Sequence, residues 1–232
     1  CGAYISPTEW KEFLCHNLGA DTSLDPHVPS MGINGAYITF GKRGPNVTGD
    51  SRVDWQTAVT DASNGFVAAP TVANYTGQIN GTNTNYTLPG WIQNSSYPTS
   101  LQWSNASGKM ATDPCPSGYR VPTNAEWVGV KANNTLSYTG TFPGSLPYNS
   151  YTSALQYGPN ASSKTLTLPA AGYRDDAEGK LADRDGYGFY WSSTSVNSSA
   201  YVFRYEYDNP AKVFANEAFG KASGYSVRCI AE

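Results

Sequence analysis

The sequence contains two histidines, His16 and His27, and these are its candidates for the general base of a hydrolytic site. Both Ser-His-Asp and Cys-His arrangements depend on such a base. Both histidines lie near the amino end, where His16 follows Cys15 and His27 follows Pro26. We expect Cys15 to be oxidised, which removes the adjacent thiol as a nucleophile. The pattern therefore favours structural or solvent-exposed histidines and predicts no catalytic residues.

An acidic segment from Asp175 to Asp185 raises the question of a metal site. Carboxylates two residues apart, as in Asp183-Arg184-Asp185-Gly186, occur in calcium-binding loops. The complete EF-hand loop, which ends in a bidentate glutamate, is missing from the sequence. Two interpretations remain at this point: a set of calcium ligands, or a turn formed by the carboxylates.

Four cysteines, Cys1, Cys15, Cys115 and Cys229, form an even set. No two of these cysteines are spaced as C-x-x-C, so a zinc knuckle is not indicated. The simplest pairing joins Cys1 to Cys15, across a predicted helix, and Cys115 to Cys229. Oxidised pairs predict an extracellular or cell-surface location. Cys1 also has a second interpretation as the acylated first residue of a lipoprotein, which would leave one cysteine unpaired.

The composition is rich in aromatic and turn-forming residues and poor in charged residues. Charged residues make up 14% of the chain and aromatic residues 13%, with 23 glycines and 15 prolines. This profile is typical of all-β or α+β domains, and 232 residues suffice for one well-buried domain. The formal net charge of -3 gives no broad attraction to nucleic acid or anionic lipid. No apolar run is as long as a transmembrane helix, so we predict no membrane insertion by this segment.

Three short helices are predicted from capping patterns. Ser6-Pro7-Thr8-Glu9 is a capping box with proline at the first helical position. A second helix is predicted to begin at residues 51–54, where the sequence is Ser-Arg-Val-Asp. The third is predicted to begin at Thr123-Asn-Ala-Glu126 and to run through Trp127.

The strand signals cluster in the last third of the chain. Leu166 and Leu168 alternate with threonine, and residues 200–207 alternate between a Tyr/Phe face and a Val/Arg/Glu face. A final strand is predicted at Tyr225–Ile230. Residues 208–223 have no strand or helix period and are predicted to form exposed loops. Residues 66–110 also lack a period and are predicted to be a loop-rich elaboration of the domain.

Several phrases of the sequence together resemble one protein family. They are the opening Trp-Lys-Glu-Phe-Leu-Cys-His-Asn-Leu-Gly-Ala, the segment from Cys115 to Trp127, Tyr-Trp-Ser-Ser-Thr at 190–194 and Ser-Val-Arg-Cys at 226–229. They resemble the Fibrobacter succinogenes major paralogous domain family. The resemblance implies a C-type lectin-like fold of the formylglycine-generating-enzyme type. That fold is α+β, with a twisted, mostly antiparallel sheet, short capped helices and long loops.

The resemblance covers residues 1–232 as a single domain and is weak between 66 and 110. Similar domains carry Cys-Gly-Ala-Tyr internally, which favours Cys1 as an internal position of a longer protein over a lipoprotein start. In the family, Gly-Tyr-Arg-Asp followed by Gly-x-Leu recurs as a turn. This favours the turn over calcium at Asp175–Asp185, so no metal and no other cofactor is predicted.

The best-known enzyme of this fold oxidises a cysteine in sulfatases and uses two reactive cysteines close together. This chain has Cys115 and Cys229, at positions that the family uses structurally, and no nearby pair. The resemblance therefore favours a protein that is not an enzyme. The Glu-Pro-Asn and Trp-Asn-Asp motifs of calcium-dependent animal lectins are also absent from the sequence.

In the resembling family, segments equivalent to residues 191–229 keep a framework and differ between its residues. Some secreted and phage proteins of this fold have that segment rewritten by diversity-generating retroelements. In this chain the interspersed positions are Asn197, Arg204, Glu206, Tyr207, Asn209, Lys212, Phe214, Asn216 and Phe219. Their mixture of aromatic and polar side chains resembles a paratope. A binding surface is favoured over packing of Phe214 and Phe219 into the core.

The predicted function is a non-catalytic recognition domain, an adhesin or receptor-binding module on a bacterial appendage or a phage fibre. It would contact a protein or glycan on a cell surface through residues 195–223, with no nucleic-acid partner. The alternative is a structural subunit that packs in a surface filament, and an enzyme of the formylglycine-generating type is less favoured than either.

Overall fold

The computed structural model describes residues 1–42, 53–54, 97–140, 151–177, 181–206 and 212–232. In this part of the chain the elements are short strands, one α-helix and one 3-10 helix. The α-helix α1 spans Asn124–Asn133, and the 3-10 helix spans Met31–Ile33.

The strands are, in chain order, β1 (Gly2–Tyr4), β2 (Trp10–Glu12), β3 (Ala36–Thr39), β4 (Val53–Asp54), β5 (Ser104–Asn105), β6 (Gly108–Lys109), β7 (Tyr119–Arg120), β8 (Thr135–Thr139), β9 (Ala154–Gly158), β10 (Leu166–Pro169), β11 (Tyr173–Arg174), β12 (Leu181–Ala182), β13 (Tyr187–Val196), β14 (Ser199–Glu206), β15 (Lys212–Gly220), β16 (Gly224–Tyr225) and β17 (Ile230–Ala231).

The strands pair into several small antiparallel sheets. One sheet has the order β13-β14-β15, one the order β10-β9-β8 and one the order β12-β11-β16-β3-β4. The pairs β1-β2, β5-β6 and β7-β17 are two-stranded. Isolated parallel bridges connect Gly172 with Gly188 and Tyr190 with Ser226. The described part of the chain is therefore mostly β with a single short α-helix. Its sheets are antiparallel, as predicted.

The sheet β13-β14-β15 lies between two hydrophobic cores. On one face, Tyr190 and Phe203 pack against Trp127 of α1, with the Trp127 and Phe203 rings 4.9 Å apart. On the other face, Trp191 packs against Tyr225, with ring centroids 4.4 Å apart. Aromatic pairs at such distances add to the free energy of burial. A strand with both faces covered is held rigidly, so this sheet is the framework of the molecule.

The predicted disulfide pairing is confirmed. Cys1 is bonded to Cys15 and Cys115 to Cys229. The first bond joins the two ends of the β1-β2 hairpin rather than a helix. The second joins residues 114 positions apart in the chain and fixes the final segment to the one before β7.

The capping box at Thr123 is confirmed. The Thr123 hydroxyl accepts from the Glu126 amide at 3.2 Å, and the Glu126 carboxylate accepts from the Thr123 amide at 2.7 Å. Glu126 also forms a bidentate pair with Arg120, with N···O distances of 2.8 and 2.6 Å. Burial alone would raise the pKa of Glu126, but the bonds from Arg120 and Thr123 lower it. The carboxylate therefore joins the start of α1 to β7.

The helix predicted at Ser6-Pro7-Thr8-Glu9 is wrong. The Ser6 hydroxyl does accept from the Glu9 amide at 3.1 Å, as a cap would. The chain then continues into β2, which pairs with β1, and the Trp10 ring packs edge-on against Tyr4 at 5.2 Å. Strand pairing within the Cys1–Cys15 loop overrides the local helix signal.

The helix predicted from residues 51–54 is wrong at Val53–Asp54, which form β4. Val53 is paired with Tyr37 and Asp54 with Ala36. The rest of this predicted helix lies outside the described residues. No helix in the described part of the chain has the length and apolar character to cross a membrane.

The strand prediction for the last third is confirmed in part. Leu166 and Leu168 lie in β10, and residues 199–206 form β14, with Phe203 and Tyr205 in one core and Val202 in the other. The predicted strand Tyr225–Ile230 is instead divided between β16 and β17. Between these two strands, the buried Arg228 guanidinium binds Asn17 Oδ1 at 3.0 and 2.8 Å.

The predicted elaboration at 66–110 is described only from residue 97 onward. This part contains the β5-β6 hairpin and the fully buried Trp103, whose ring lies 4.6 Å from that of Phe40. Trp103 Nε1 donates to the Lys42 carbonyl at 2.8 Å. Residues 97–110 therefore pack onto the core that contains Trp191.

Candidate functional site

Strand β15 carries most of the predicted ligand-binding positions that the structure describes. The prediction of exposed loops at 208–223 is wrong for Lys212–Gly220, which pair with β14. Arg204 is opposite Phe214, and Val202 is opposite Glu217, so β15 has one more residue than β14 at this point. Such a bulge shifts the alternation of side chains by one position. The sequence of β15 therefore shows no two-residue period.

The bulge places Phe214 and Phe219 on the same face of the sheet. Phe214 is opposite Arg204 and Phe219 is opposite Ala200. Arg204 and Ala200 are an even number of residues apart in β14, so they share a face. Without the extra residue, Phe214 and Phe219 would point to opposite faces.

Arg204 is the centre of this face. Its Nε donates to Glu217 Oε2 at 2.8 Å, and its Nη1 donates to the Glu206 carboxylate. Its guanidinium carbon lies 4.3 Å from the Phe214 centroid and 6.0 Å from the Phe189 centroid. Burial alone would lower the pKa of Arg204, but the bonds to Glu217 and Glu206 raise it. Arg204 is therefore a permanent cation held between two carboxylates.

We call the surface formed by Arg204, Glu206, Phe214, Glu217 and Phe219 the Arg204 face. The side chains of Arg204, Glu206 and Glu217 are 15%, 22% and 36% exposed. Phe214 and Phe219 are also half-buried. Each of these side chains is therefore held in place by the sheet and is still partly exposed to solvent. This arrangement suits contact with a ligand better than proton transfer, because the Arg204 guanidinium is held in hydrogen bonds to both carboxylates.

Phe219 extends the Arg204 face into a second aromatic cluster. Its ring lies 5.8 Å from that of Phe189 and 6.1 Å from that of Tyr225, nearly perpendicular to both. Phe189 and Tyr225 are stacked at 4.9 Å. Phe219 therefore packs on the core and keeps part of its surface exposed. This position is compatible with both interpretations of the residue, a ligand contact and packing into the core.

The remaining predicted positions are distributed as follows. Lys212 is exposed and is opposite Glu206, at the edge of the Arg204 face. Asn216 accepts at Oδ1 from Asn124 Nδ2 at 2.8 Å, next to the start of α1. Asn197 lies in the turn between β13 and β14 with φ of 52°. Tyr207 and Asn209 lie outside the described residues.

The structure thus brings together Arg204, Glu206, Lys212 and Phe214, with Phe219 alongside. It does not bring Asn197 or Asn216 to them. The sequence prediction missed Glu217, which accepts a hydrogen bond from Arg204. It also missed Phe189, which is opposite Arg204 in the ladder. The alternation of Tyr187, Phe189 and Trp191 was the signal that could have identified a shared face.

The two histidines, both in the amino-terminal part of the chain, each contact an oxygen atom of the fold. His16 Nε2 lies 2.9 Å from the Leu24 carbonyl oxygen, and His27 Nδ1 lies 2.8 Å from Thr167 Oγ1. Burial lowers the pKa of His27. Since the four cysteines form two disulfides, no thiol is present beside either histidine.

The acidic segment supplies contacts within the fold. Asp185 is buried and accepts from the Ser153 amide at 3.0 Å. Asp183 and Asp185 both have positive φ, of 54° and 67°, as in a tight turn. Among residues 1–42, 97–140, 151–177, 181–206 and 212–232, no group of three or more His, Cys, Asp or Glu side chains is placed to hold a metal ion.

One protein family matches the chain. It is described as a domain of unknown function (DUF8237), and its match covers residues 156–230, from β9 to β17. The match includes β13, β14 and β15, and therefore the whole Arg204 face. No curated protein and no solved structure matches the chain.

Proposed function

We propose that this chain is a non-catalytic recognition domain with a C-type lectin-like fold. It acts as an adhesin or receptor-binding module at the cell surface or outside the cell, and it binds a protein or glycan through the Arg204 face. The observation that carries the proposal is the set of half-exposed aromatic and charged side chains around Arg204 on a rigid sheet. Arginine and aromatic residues are enriched at the energetic centres of interfaces. Side chains ordered before binding lose less entropy on association.

The scaffold supports this proposal. One side of the β13-β14-β15 sheet is covered by α1, and part of the other side, next to the Arg204 face, is covered by the core that contains Trp103, Trp191 and Tyr225. The Cys115–Cys229 disulfide fixes the last segment of the chain. Disulfides persist in oxidising compartments, which agrees with action outside the cytosol.

The test is an array of glycans and cell-surface proteins probed with the domain and its variants. Glu217→Lys reverses one charge at the edge of the Arg204 face, and Arg204→Ala/Phe214→Ala removes its centre. We expect both variants to lose at least about tenfold in affinity, the loss typical of an interface centre. The control Lys164→Ala/Tyr138→Ala removes an exposed cation and an exposed aromatic ring from other surfaces and retains binding.

A melting curve for each variant accompanies the array. Glu217→Lys is the decisive variant, since its side chain is 36% exposed and the core remains unchanged. A ligand that binds this variant as tightly as it binds the wild type would contradict the proposal. We also propose that a diversity-generating retroelement varies this segment of the chain, and this is tested at the locus. It requires an imperfect downstream copy of the segment that encodes residues 191–229, with differences at adenines.

A second candidate function is a structural subunit of a surface filament. Strand β8 is at the edge of its sheet in the described part of the chain, and Leu136 and Tyr138 are 40% and 47% exposed. Exposed apolar edge strands pair readily with other chains. The variant Leu136→Lys tests this candidate by sedimentation. Loss of self-association at high concentration supports the filament, and a monomeric wild type contradicts it.

A further inference from the structure

A groove of about 680 Å³ lies beside the β1-β2 hairpin. Sites for small molecules measure about 300–1,000 Å³, so the groove has room for a ligand of one or two small rings. It shares no residue with the Arg204 face. The lining residues that matter here are one aromatic residue, four charged residues and one hydroxyl residue: Trp10, Lys11, Glu12, Lys164, Glu232 and Thr165.

Trp10 supplies the groove with an aromatic ring that is open to solvent. This residue is 41% exposed, whereas Trp103, Trp127 and Trp191 are fully buried in the cores. An exposed indole has a large apolar surface that burial by a ligand would stabilise. Tryptophan is also enriched among the residues that contribute most to binding. Trp10 is therefore the strongest candidate for a ligand contact in this groove.

The hairpin holds the Trp10 ring in place. In the β1-β2 ladder Trp10 is opposite Tyr4 and Glu12 is opposite Gly2, so these four residues share one face. A Cβ atom added to Gly2 would lie 2.6 Å from Trp10 Cζ2, which shows that the indole lies directly against the Gly2 backbone. The Tyr4 ring is nearly perpendicular to the indole, at an interplanar angle of 80°. The ring is thus ordered before any ligand arrives, which lowers the entropy lost on binding.

The opposite wall of the groove comes from the segment that leads into β10. The Gly2 amide donates to the Thr165 carbonyl at 3.0 Å, and Thr165 Oγ1 donates to the Gly2 carbonyl at 2.8 Å. These two bonds fix the segment to β1. They bring the exposed Lys164 to the same groove as Trp10, although the two residues are far apart in the sequence.

The charged side chains of the groove balance one another and offer both donors and acceptors. The positive charges of Lys11 and Lys164 equal the negative charges of Glu12 and Glu232, and burial of His27 lowers its pKa and favours the neutral ring. Within the part of the chain that the structure describes, neither lysine side chain has a hydrogen bond or an ion pair. Each glutamate has one partner in the fold, and a carboxylate can accept several hydrogen bonds.

A neutral sugar ring fits this combination better than other ligand classes. The glutamates repel an anion and the lysines repel a cation. A wholly apolar ligand would desolvate the four charged groups without a compensating bond. A proline-rich peptide could pack on Trp10, but proline has no N–H group to donate to the glutamates. A pyranose ring has an apolar C–H face for the indole, and each of its hydroxyl groups both donates and accepts hydrogen bonds.

We infer that this groove binds a neutral hexose unit of a glycan. The C–H face of the sugar packs on the Trp10 ring, and its hydroxyl groups accept from Lys164 and donate to Glu12. The inference goes beyond the proposed function, because it assigns a second binding site that the Arg204 face does not include.

The test titrates the domain, labelled with ¹⁵N, with the neutral disaccharides cellobiose and lactose. The chain has six tryptophans, and the Trp10 indole signal is identified by its absence from Trp10→Phe. We expect at least one disaccharide to produce saturable shifts of this signal and of the Lys11 and Thr165 amides, because all three residues line the groove. Affinity in the region of about 1 mM is expected for one sugar contact. Sorbitol, which has the hydroxyl groups but no ring, produces no saturable shift.

Variants with a matched control locate the binding through the Thr165 amide signal. Trp10→Ala removes the ring and is expected to weaken the affinity by about tenfold or more. Lys164→Ala removes an exposed donor without touching the hairpin, and a loss of about threefold is expected. Tyr138→Ala removes an exposed ring from β8, outside the groove, and leaves the affinity unchanged. Equal affinity in the wild type, Trp10→Ala and Lys164→Ala would overturn the inference.

Three further outcomes would also overturn it. The first is the absence of a saturable shift with either disaccharide. The second is tighter binding of methyl glucuronide or glucosamine, which would identify a charged ligand, and the third is tighter binding of hexaproline, which would identify a peptide site. A contact of about 1 mM is too weak to hold the domain on an array, so array binding of Glu217→Lys tests the Arg204 face separately. Either proposal can therefore fail without the other.

Discussion

The Arg204 guanidinium lies 4.3 Å from the centroid of the Phe214 ring, across the ladder that joins β14 and β15. Both residues belong to the set predicted from the sequence to bind ligand. In the structure they also stabilise each other, since a cation over a ring face is attracted by its quadrupole. A substitution at either position is therefore expected to change both binding and folding, and the two effects must be separated.

The substitution Arg204→Lys tests both effects, which are measured separately as stability and as affinity. Lysine retains the positive charge but cannot form the planar fork that bonds to Glu217 and stacks on Phe214. We expect the free energy of unfolding to fall by about 1 kcal/mol. Urea denaturation measures this loss. The partner's affinity is expected to fall as well, and unchanged values of both quantities would contradict the role assigned to the guanidinium.

The site could be predicted from the sequence only in part. The resemblance indicated the segment that contains Arg204 and Phe214, because its aromatic and charged residues stand between framework residues. It could not place Phe214 and Phe219 on one face, since that depends on a bulge opposite Arg204. A bulge is created by pairing with another strand and leaves no mark in a single strand's sequence.

The two capping boxes illustrate the same limit for the fold. At Thr123 the local signal and the tertiary contacts agree, because Trp127, in the first turns of α1, packs on Phe203. At Ser6 the same local signal is followed by a strand that pairs with β1 inside a disulfide loop. Nothing near Ser6 in the sequence reports that pairing. Helix propensity is weak enough for such contacts to override it.

The capping boxes give a prediction on stability. Thr123→Ala removes the acceptor of the Glu126 amide and is expected to lower the free energy of unfolding by about 1 kcal/mol. Thr123→Ser retains the hydroxyl and is expected to be close to the wild type. Ser6→Ala is expected to cost less than about 0.5 kcal/mol, because this exposed hydroxyl caps no helix. Equal losses for Thr123→Ala and Ser6→Ala in chemical denaturation would refute this distinction.

The two disulfides are expected to differ in their contributions. Cys115 and Cys229 are 114 residues apart, whereas Cys1 and Cys15 are 14 apart. In the chain-entropy model, a loop of about 100 residues gives about 4.7 kcal/mol and a loop of about 15 gives about 3 kcal/mol. The variant Cys115→Ala/Cys229→Ala should therefore lose more stability than Cys1→Ala/Cys15→Ala. Denaturation curves of both double variants measure the difference, and the reverse order would contradict it.

His27 gives a prediction on pH. Burial lowers the pKa of His27 below its ordinary value of 6.5, so the folded state favours the neutral ring. Its stabilising contribution is present above the unfolded pKa and is lost as the pH falls through the folded pKa. The ring lies against Thr167 Oγ1 at 2.8 Å, and protonation there requires a partly buried charge. We therefore expect wild-type stability to decline between about pH 7 and about pH 5.

The variant His27→Gln isolates this contribution, because glutamine keeps a polar group near Thr167 but does not titrate. The free energy of unfolding is measured in urea at about pH 7.5 and about pH 5 for both proteins. Other titrating groups contribute equally to both, so the difference between the two declines belongs to His27. The wild type should lose more stability than the variant on acidification. Parallel declines would show that the His27 imidazole has the same pKa in the folded and unfolded chain.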